Sequence, residues 1–250
     1  MRTAWYLIVV LVLGLALTLS TVSTRAETTN CVPITVVPVA ITVQGIYCFT
    51  QHLGTGITTG AAIEIQTNNV ILDLNGFKLG GLAAGPGTQA IGISADNRQN
   101  ITIKNGTVRG FYEGIRLNDS SGASLGHVVE NIRADQNTHA GIEVNGRGNL
   151  IRNNQVVATG GSTFTLQALG ILVSGTGTRV LNNDVIDTYS SDPSQAEGIY
   201  LIASNALVVN NRITNASVGI HFVGSGKYRD NLTTGVSTPF MGGTNASNNN

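Results

Sequence analysis

The sequence predicts an all-β chain wound as a parallel β-helix, and three observations carry that expectation. A unit recurs: Gly141-Ile142-Glu143-Val144 with Asn153-Asn154, Gly170-Ile171-Leu172-Val173 with Asn182-Asn183, and Gly198-Ile199-Tyr200-Leu201 with Asn210-Asn211, the second Asn always 13 residues after the Gly. The composition has 31 Gly and only 11% charged residues in 250. Val, Ile, Thr, Asn and Gly are frequent and the helix formers Lys and Glu are scarce, a bias that favours short strands joined by tight turns. The chain is long enough for one domain, and 42% hydrophobic residues suffice for a sizeable core.

The repeat sets in near residue 60. Its anchors are Ala62-Ile63, Gly92-Ile93, Gly114-Ile115, Gly141-Ile142, Gly170-Ile171, Gly198-Ile199 and Gly219-Ile220. The interval from Ala62 to Gly92 is 30 residues, and the following ones are 22, 27, 29, 28 and 21. Periods of this size mark a solenoid. Leucine-rich repeats compete at this length, but their L-x-x-L-x-L frame and helical segment are missing. Each period instead holds three β patches, as in Gly92-Ile93-Ser94, Asn100-Ile101-Thr102-Ile103 and Thr107-Val108-Arg109, and three strands per turn make a parallel β-helix.

The asparagines support the same fold. Counting 13 from each anchor gives Asn75, Asn105, Asn154, Asn183 and Asn211, and counting 12 from Gly219 gives Asn231. In coils stacked every ~4.8 Å, one Asn per coil passes an amide hydrogen bond to the next, and Asn also tolerates a left-handed corner. In the third coil residues 118–126 read as an insertion. Asn131 lies 17 from Gly114 there, and Glu130 competes for the ladder slot.

The N-terminus has Arg2, an apolar run over residues 5–19 and Thr24-Arg25-Ala26. The run is shorter than the ~20 residues a spanning helix needs, so residues 1–26 read as a cleaved signal peptide, and the mature protein as secreted, extracellular or periplasmic, with no membrane association after cleavage. Without Arg2 and Arg25 the 14 basic residues fall to 12 against 14 acidic ones. A weakly acidic chain with three Lys is a poor ligand for nucleic acid. Residues 27–59 lack the repeat and read as an N-terminal cap over the first hydrophobic layer, with a Cys31–Cys48 disulfide expected in an exported protein. Residues 60–240 form the helix, and the small polar residues 241–250 read as a flexible tail.

Gly45-Ile46-Tyr47-Cys48, Ala62-Ile63-Glu64-Ile65, Asn69-Val70-Ile71-Leu72-Asp73-Leu74-Asn75-Gly76 and Asn105-Gly106-Thr107-Val108-Arg109-Gly110-Phe111 resemble the pectin-lyase-like superfamily, and more narrowly its bacterial repeat-containing group. The resemblance covers roughly residues 40–235 and implies a single-stranded right-handed parallel β-helix of about seven coils. It implies no single activity, since the superfamily includes lyases, hydrolases, epimerases and proteins with no known chemistry. The Asn-Thr-Asp, Asp-Asp and Gly-His-Gly motifs of its polygalacturonases and the Asp-Pro-His signature of its alginate epimerases are missing.

If the Ile after each Gly points inward, the next residue points out. That outward column runs Glu64, Ser94, Arg116, Glu143, Leu172, Tyr200, His221. Neighbours stand ~4.8 Å apart, so Arg116 is expected to pair directly with Glu143. Such a pair is usually a surface salt bridge of little worth. Glu113 ends the turn before coil three, Asp135 and His139 lie before coil four, and turns at residues 160–168 and 188–197 wall the face. Glu113 and Glu197 are three coils apart, ~14 Å, too far for a glycosidase carboxylate pair, whereas Glu113 and Glu143 are one coil apart.

The expected function is interaction with polysaccharide along this outer face. One alternative is a lyase acting on uronate polymers, with Arg116 or His139 as base and Glu143 and Glu113 in support; another is a non-catalytic structural or adhesin-like surface protein. No cofactor is expected, apart from calcium if the chain is a lyase. Asp184 and Asp187 are the nearest approach to a calcium site, which needs six or more oxygens. The sequence does not fix the oligomeric state.

Overall fold

The structure is a computed structural model that describes residues 30–249; the expected signal peptide lies outside them. Seven isoleucines stand in parallel register down one sheet: Ile63, Ile93, Ile115, Ile142, Ile171, Ile199 and Ile220. All are at 0% exposure. Each buries a β-branched side chain that suits a pleated surface, a contribution of roughly 2 kcal/mol apiece. The parallel β-helix is therefore present, with about seven coils set by these seven positions.

Three sheets enclose the core. The first carries the isoleucines. The second stacks Leu72, Ile103, Val129, Ile151, Val180, Val208 and Tyr228, and the third stacks Leu79, Val108, Ala134, Val156, Val185 and Ile213. All of these residues are buried. Strands Ile101–Arg109 and Val128–Asp135 run through the second and third sheets without a break, and Arg212–Phe222 runs through the third and first. The only helical elements among the described residues are two short 3-10 turns, Leu82–Ala84 and Pro193–Gln195.

The anchor glycines are required by close approach. A Cβ on Gly114 would lie 2.6 Å from the Gly141 carbonyl oxygen, one on Gly141 2.7 Å from that of Gly170, and one on Gly170 2.4 Å from that of Gly198. Only hydrogen fits where one coil turns into the first sheet directly beneath the next.

The asparagines divide into two columns with different roles. Asn154, Asn183, Asn211 and Asn231 are buried and form the inner ladder: Asn154 Nδ2 donates to Asn183 Oδ1 at 3.0 Å, Asn183 to Asn211 at 2.9 Å, Asn211 to Asn231 at 3.0 Å and Asn231 to Asn249 at 3.1 Å. The left-handed corner falls one residue earlier, at Asn153, Asn182, Asn210 and Asp230, with φ between 54° and 57°. Asn75 and Asn105 do not belong to the inner ladder as expected. They take left-handed φ of 50° and 58°; Asn105 donates to Asp73, and Asn131 donates to Asn105 at 3.3 Å. In the third coil the slot is filled by Ile132, whose N–H donates to Asn154 Oδ1 at 2.9 Å. Glu130 does not compete for it, because it faces outward and pairs with Arg152 at 2.6 Å. The counting rule failed because the earlier coils fill the same interior position with apolar atoms.

The ladder of strands extends past both expected limits of residues 60 and 240. Val32–Ile34 pairs with Gly45–Phe49, Val39–Ile41 with Ala61–Ile65, and Leu53–Gly54 with Lys78–Gly80, so these strands continue the three sheets. The Cys31–Cys48 disulfide is present. At the other end Met241 pairs with His221, Thr244–Asn245 pairs with Gly226–Arg229, and Asn249 terminates the amide ladder.

Candidate functional site

The outward column of the first sheet is in the expected register: Glu64, Ser94, Arg116, Glu143, Leu172, Tyr200 and His221 are successive partners. A second column, buried throughout, flanks it across the anchor glycines, aligning Glu113, Ala140, Leu169 and Glu197. The glycine is where the alternation of faces slips, so Glu113 and Arg116 reach the same face although three residues separate them.

Glu113 is the centre of the cluster. Its side chain is 6% exposed and lies 3.3 Å from Arg116 Nη1 and 3.9 Å from His139 Nε2. The charge of Glu143 from the adjacent coil is close enough to act on it. Burial pushes the Glu113 carboxyl up to about 7, the Glu143 charge adds to the push, and Arg116 pulls the other way. The proton is thus held on the more buried acid near neutrality.

Arg116 and Glu143 occupy adjacent positions, but the expected direct ion pair is not formed. Arg116 binds Glu113 on its own strand, and Glu143 Oε1 accepts from Asn145 Nδ2 at 2.6 Å. The same-strand acid wins because its burial leaves the guanidinium as its nearest charged donor. His139 is fixed by its turn: Nδ1 lies 3.0 Å from the Gln167 carbonyl, which only accepts, so Nδ1 carries a proton, and it is Nε2 that faces Glu113 and holds the lone pair whenever the ring is neutral.

All four expected site residues therefore converge, and two further residues join them. Tyr112 stacks on His139 with ring centroids 4.7 Å apart. Burial raises its hydroxyl pKa, with the charges of Glu113 and Glu143 in support, so it remains a proton donor. Asn145 bridges Glu143 and Asn118. Sequence spacing gave no signal for Tyr112, because the turn that stacks it on His139 departs from the repeat. Asp135, expected nearby, instead pairs with Arg109 at 3.4 Å and Arg133 at 3.7 Å.

Glu197 makes a separate pair three coils on, with His221 Nδ1 at 3.0 Å and the Tyr200 ring 5.1 Å from that of His221. Its carboxyl is raised by burial, with His221 acting in the opposite direction. The turns at residues 160–168 and 188–197 border a cleft lined by Leu166, Tyr189 and Ser190. That cleft does not include Glu113, Arg116, His139 or Glu143.

The residues expected to approach a calcium site do not fit one. Asp184 pairs with Arg212 at 3.1 Å, and Asp187 accepts from Asn215 at 2.8 Å. No group of three His, Cys, Asp or Glu with metal-binding geometry occurs among the described residues. Nor does any helix there have the length and apolarity to cross a membrane.

No curated protein matches the chain in sequence. Among solved structures, a mutant of DFA-IIIase from Arthrobacter chlorophenolicus in complex with DFA-III is similar, with a TM-score of 0.49 and 11% identity. The match covers 88% of this chain and spans 58% of the other. The family model described as a right handed beta helix region matches residues 91–250. The chain belongs to the right-handed β-helix family.

Proposed function

We propose that this protein is exported and binds polysaccharide along the outer face of its first sheet, and that Glu113, Arg116, His139 and Glu143 cleave a uronate polymer there by β-elimination. The observation that carries the reading is the buried Glu113 carboxyl, which lies 3.3 Å from a guanidinium and 3.9 Å from an imidazole nitrogen, with the Glu143 charge close enough to raise its pKa. Titratable groups with perturbed surroundings and mutual contact are what acid–base chemistry requires. Export is supported by the apolar N-terminal run and by the disulfide.

Each group has a defined role. The Arg116 guanidinium, 37% exposed, neutralises the uronate carboxylate, and protonated Glu113 adds a donor beside it. His139 Nε2 takes the proton from C5. The freed electron pair forms the C4–C5 double bond as the C4–O bond breaks, and the departing oxygen takes a proton from the Tyr112 hydroxyl. The Glu143 charge favours the protonated form of Glu113.

The test is a panel of uronate polymers, with and without calcium, followed by ultraviolet absorbance of the unsaturated product. Product formation by the native chain, lost in His139→Ala and Arg116→Ala, is the expected result. A second reading, binding without turnover, is favoured because the cleft bordered by residues 160–168 and 188–197 does not contain the cluster. Glycan-array binding with no product would select it, and failure in both assays would reject the whole proposal.

A further inference from the structure

The anchor glycines of the first sheet are explained by contact, but three glycines around one cleft are not. Gly54, Gly56 and Gly80 do not have positive φ. A Cβ on Gly54 would lie 3.5 Å from its nearest neighbour, on Gly56 3.7 Å and on Gly80 3.6 Å, all ordinary van der Waals contacts. The fold would accept a side chain at each position. The absence of one leaves space above the third sheet.

That space is a cleft of about 530 Å³ whose lining includes Gly54, Gly56 and Gly80 together with His52, Lys78 and Arg109. Gly54, Gly80 and Arg109 are consecutive members of one outward column, so the trough opens where that column lacks side chains and ends at a guanidinium. Leu82 and Ala83 form a wall. Their turn is anchored, since Gly81 is packed so closely on Phe111 that a Cβ would lie 2.6 Å from the ring.

The charge of the lining has one sign. No Asp or Glu lines the cleft. Lys78 forms no salt bridge among the described residues, and its side chain lies over Gly80, with Cε 3.6 Å from the position a Cβ would take. His52 Nδ1 accepts the Lys78 backbone N–H at 3.0 Å, so the neutral imidazole carries its hydrogen on Nε2 and is a second donor. Arg109 is partly neutralised by Asp135 behind it, at 3.4 Å, and is also bound to Gln136. Two cations and an imidazole donor around a glycine floor suit a compact oxyanion, because the missing side chains let the ligand approach the strands.

We infer that this cleft is an anion-binding site on the third sheet, which takes a carboxylate or sulfate group carried on a small ligand of one to three rings. It lies on a different sheet from the Glu113 cluster, and the inference does not rest on the function proposed for that cluster.

The test is titration calorimetry of the folded chain with inorganic sulfate, inorganic phosphate, trigalacturonate and a sulfated disaccharide, with maltotriose as neutral control. Trigalacturonate or the sulfated disaccharide should bind while maltotriose does not, and affinity should fall as salt rises. Inorganic sulfate and phosphate decide whether the bare oxyanion suffices. Lys78→Ala should weaken binding roughly tenfold, and Gly80→Leu should abolish it without lowering the melting temperature. Glu113→Gln should leave this binding unchanged, and Gly80→Leu should leave any polymer cleavage unchanged, so the two sites fail separately. Absence of binding by every anion, or binding that survives both Lys78→Ala and Gly80→Leu, overturns the inference.

Discussion

Glu113 and Arg116 lie 3.3 Å apart on one strand, on the same face of a sheet whose alternation would normally place them on opposite faces. The intervening glycine makes this possible by letting the chain turn against the carbonyl of the next coil. A structural element of the repeat thus brings an acid and a cation together, and the outward column adds Glu143 from the adjacent coil.

The first prediction concerns the dependence of stability on pH. Glu113 titrates at about 7 in the folded chain, against an ordinary value of 4.5. A raised folded pKa means that the folded state binds the proton more tightly. The favourable contribution is complete below about 4.5 and is lost as pH rises through about 7. Glu113→Gln, neutral at every pH, should gain on the native chain by roughly 1–3 kcal/mol between about pH 5 and pH 8. Urea unfolding of both proteins at the two pH values measures the difference, and an unchanged difference would show that Glu113 titrates normally.

The same proton should control any turnover. If protonated Glu113 supports the uronate carboxylate, the rate falls as pH rises above about 7. Glu113→Gln keeps a neutral donor and should flatten that limb while retaining some activity. A limb of the same shape in Glu113→Gln would assign the pH dependence to another group.

The inner amide ladder gives a prediction with a built-in control. Asn183 donates to Asn211 and to the Ile151 carbonyl, and accepts from both the N–H and the amide of Asn154. Asn183→Ala would leave several buried polar groups unpaired, at roughly 1–3 kcal/mol each. Its neighbour Asn182 has φ 57° at the corner, so Asn182→Ala should cost only about 1–2 kcal/mol, for the left-handed backbone. Thermal unfolding of the two variants compares them directly, and equal losses would contradict the division of labour.

The repeat was legible in the sequence because glycine, isoleucine and asparagine each answer a local constraint that recurs in every coil. The column from Glu64 to His221 followed from the alternation of faces and supplied Arg116 and Glu143, while Glu113 and His139 came from the turns flanking its strands. What could not be read was which neighbour each side chain chooses. Arg116 has Glu143 beside it in register and Glu113 three residues back, and burial of Glu113 decides between them. Nor could spacing distinguish the Asn105 corner from the Asn154 ladder, since the distinction lies in whether the facing coils fill the interior with Leu74 and Ile132 or with amides. Tyr112 and Asn145 enter the site through turns, which do not keep the period.

The glycines give the sharpest contrast in stability. A Cβ on Gly141 would lie 2.4 Å from Val156 Cγ1 and 2.7 Å from the Gly170 carbonyl oxygen. Neither can yield easily, because Val156 is fully buried and Gly170 O belongs to the next coil. Gly141→Ala should destabilise the chain by roughly 3 kcal/mol or more, as overpacking against backbone does. Gly80→Ala meets nothing closer than 3.6 Å, and should remain within roughly 0.5 kcal/mol of the native chain. Chemical denaturation of the pair measures both. A large loss in Gly80→Ala would mean that the glycine is required by the fold, and the open floor above the third sheet would then need no ligand to account for it.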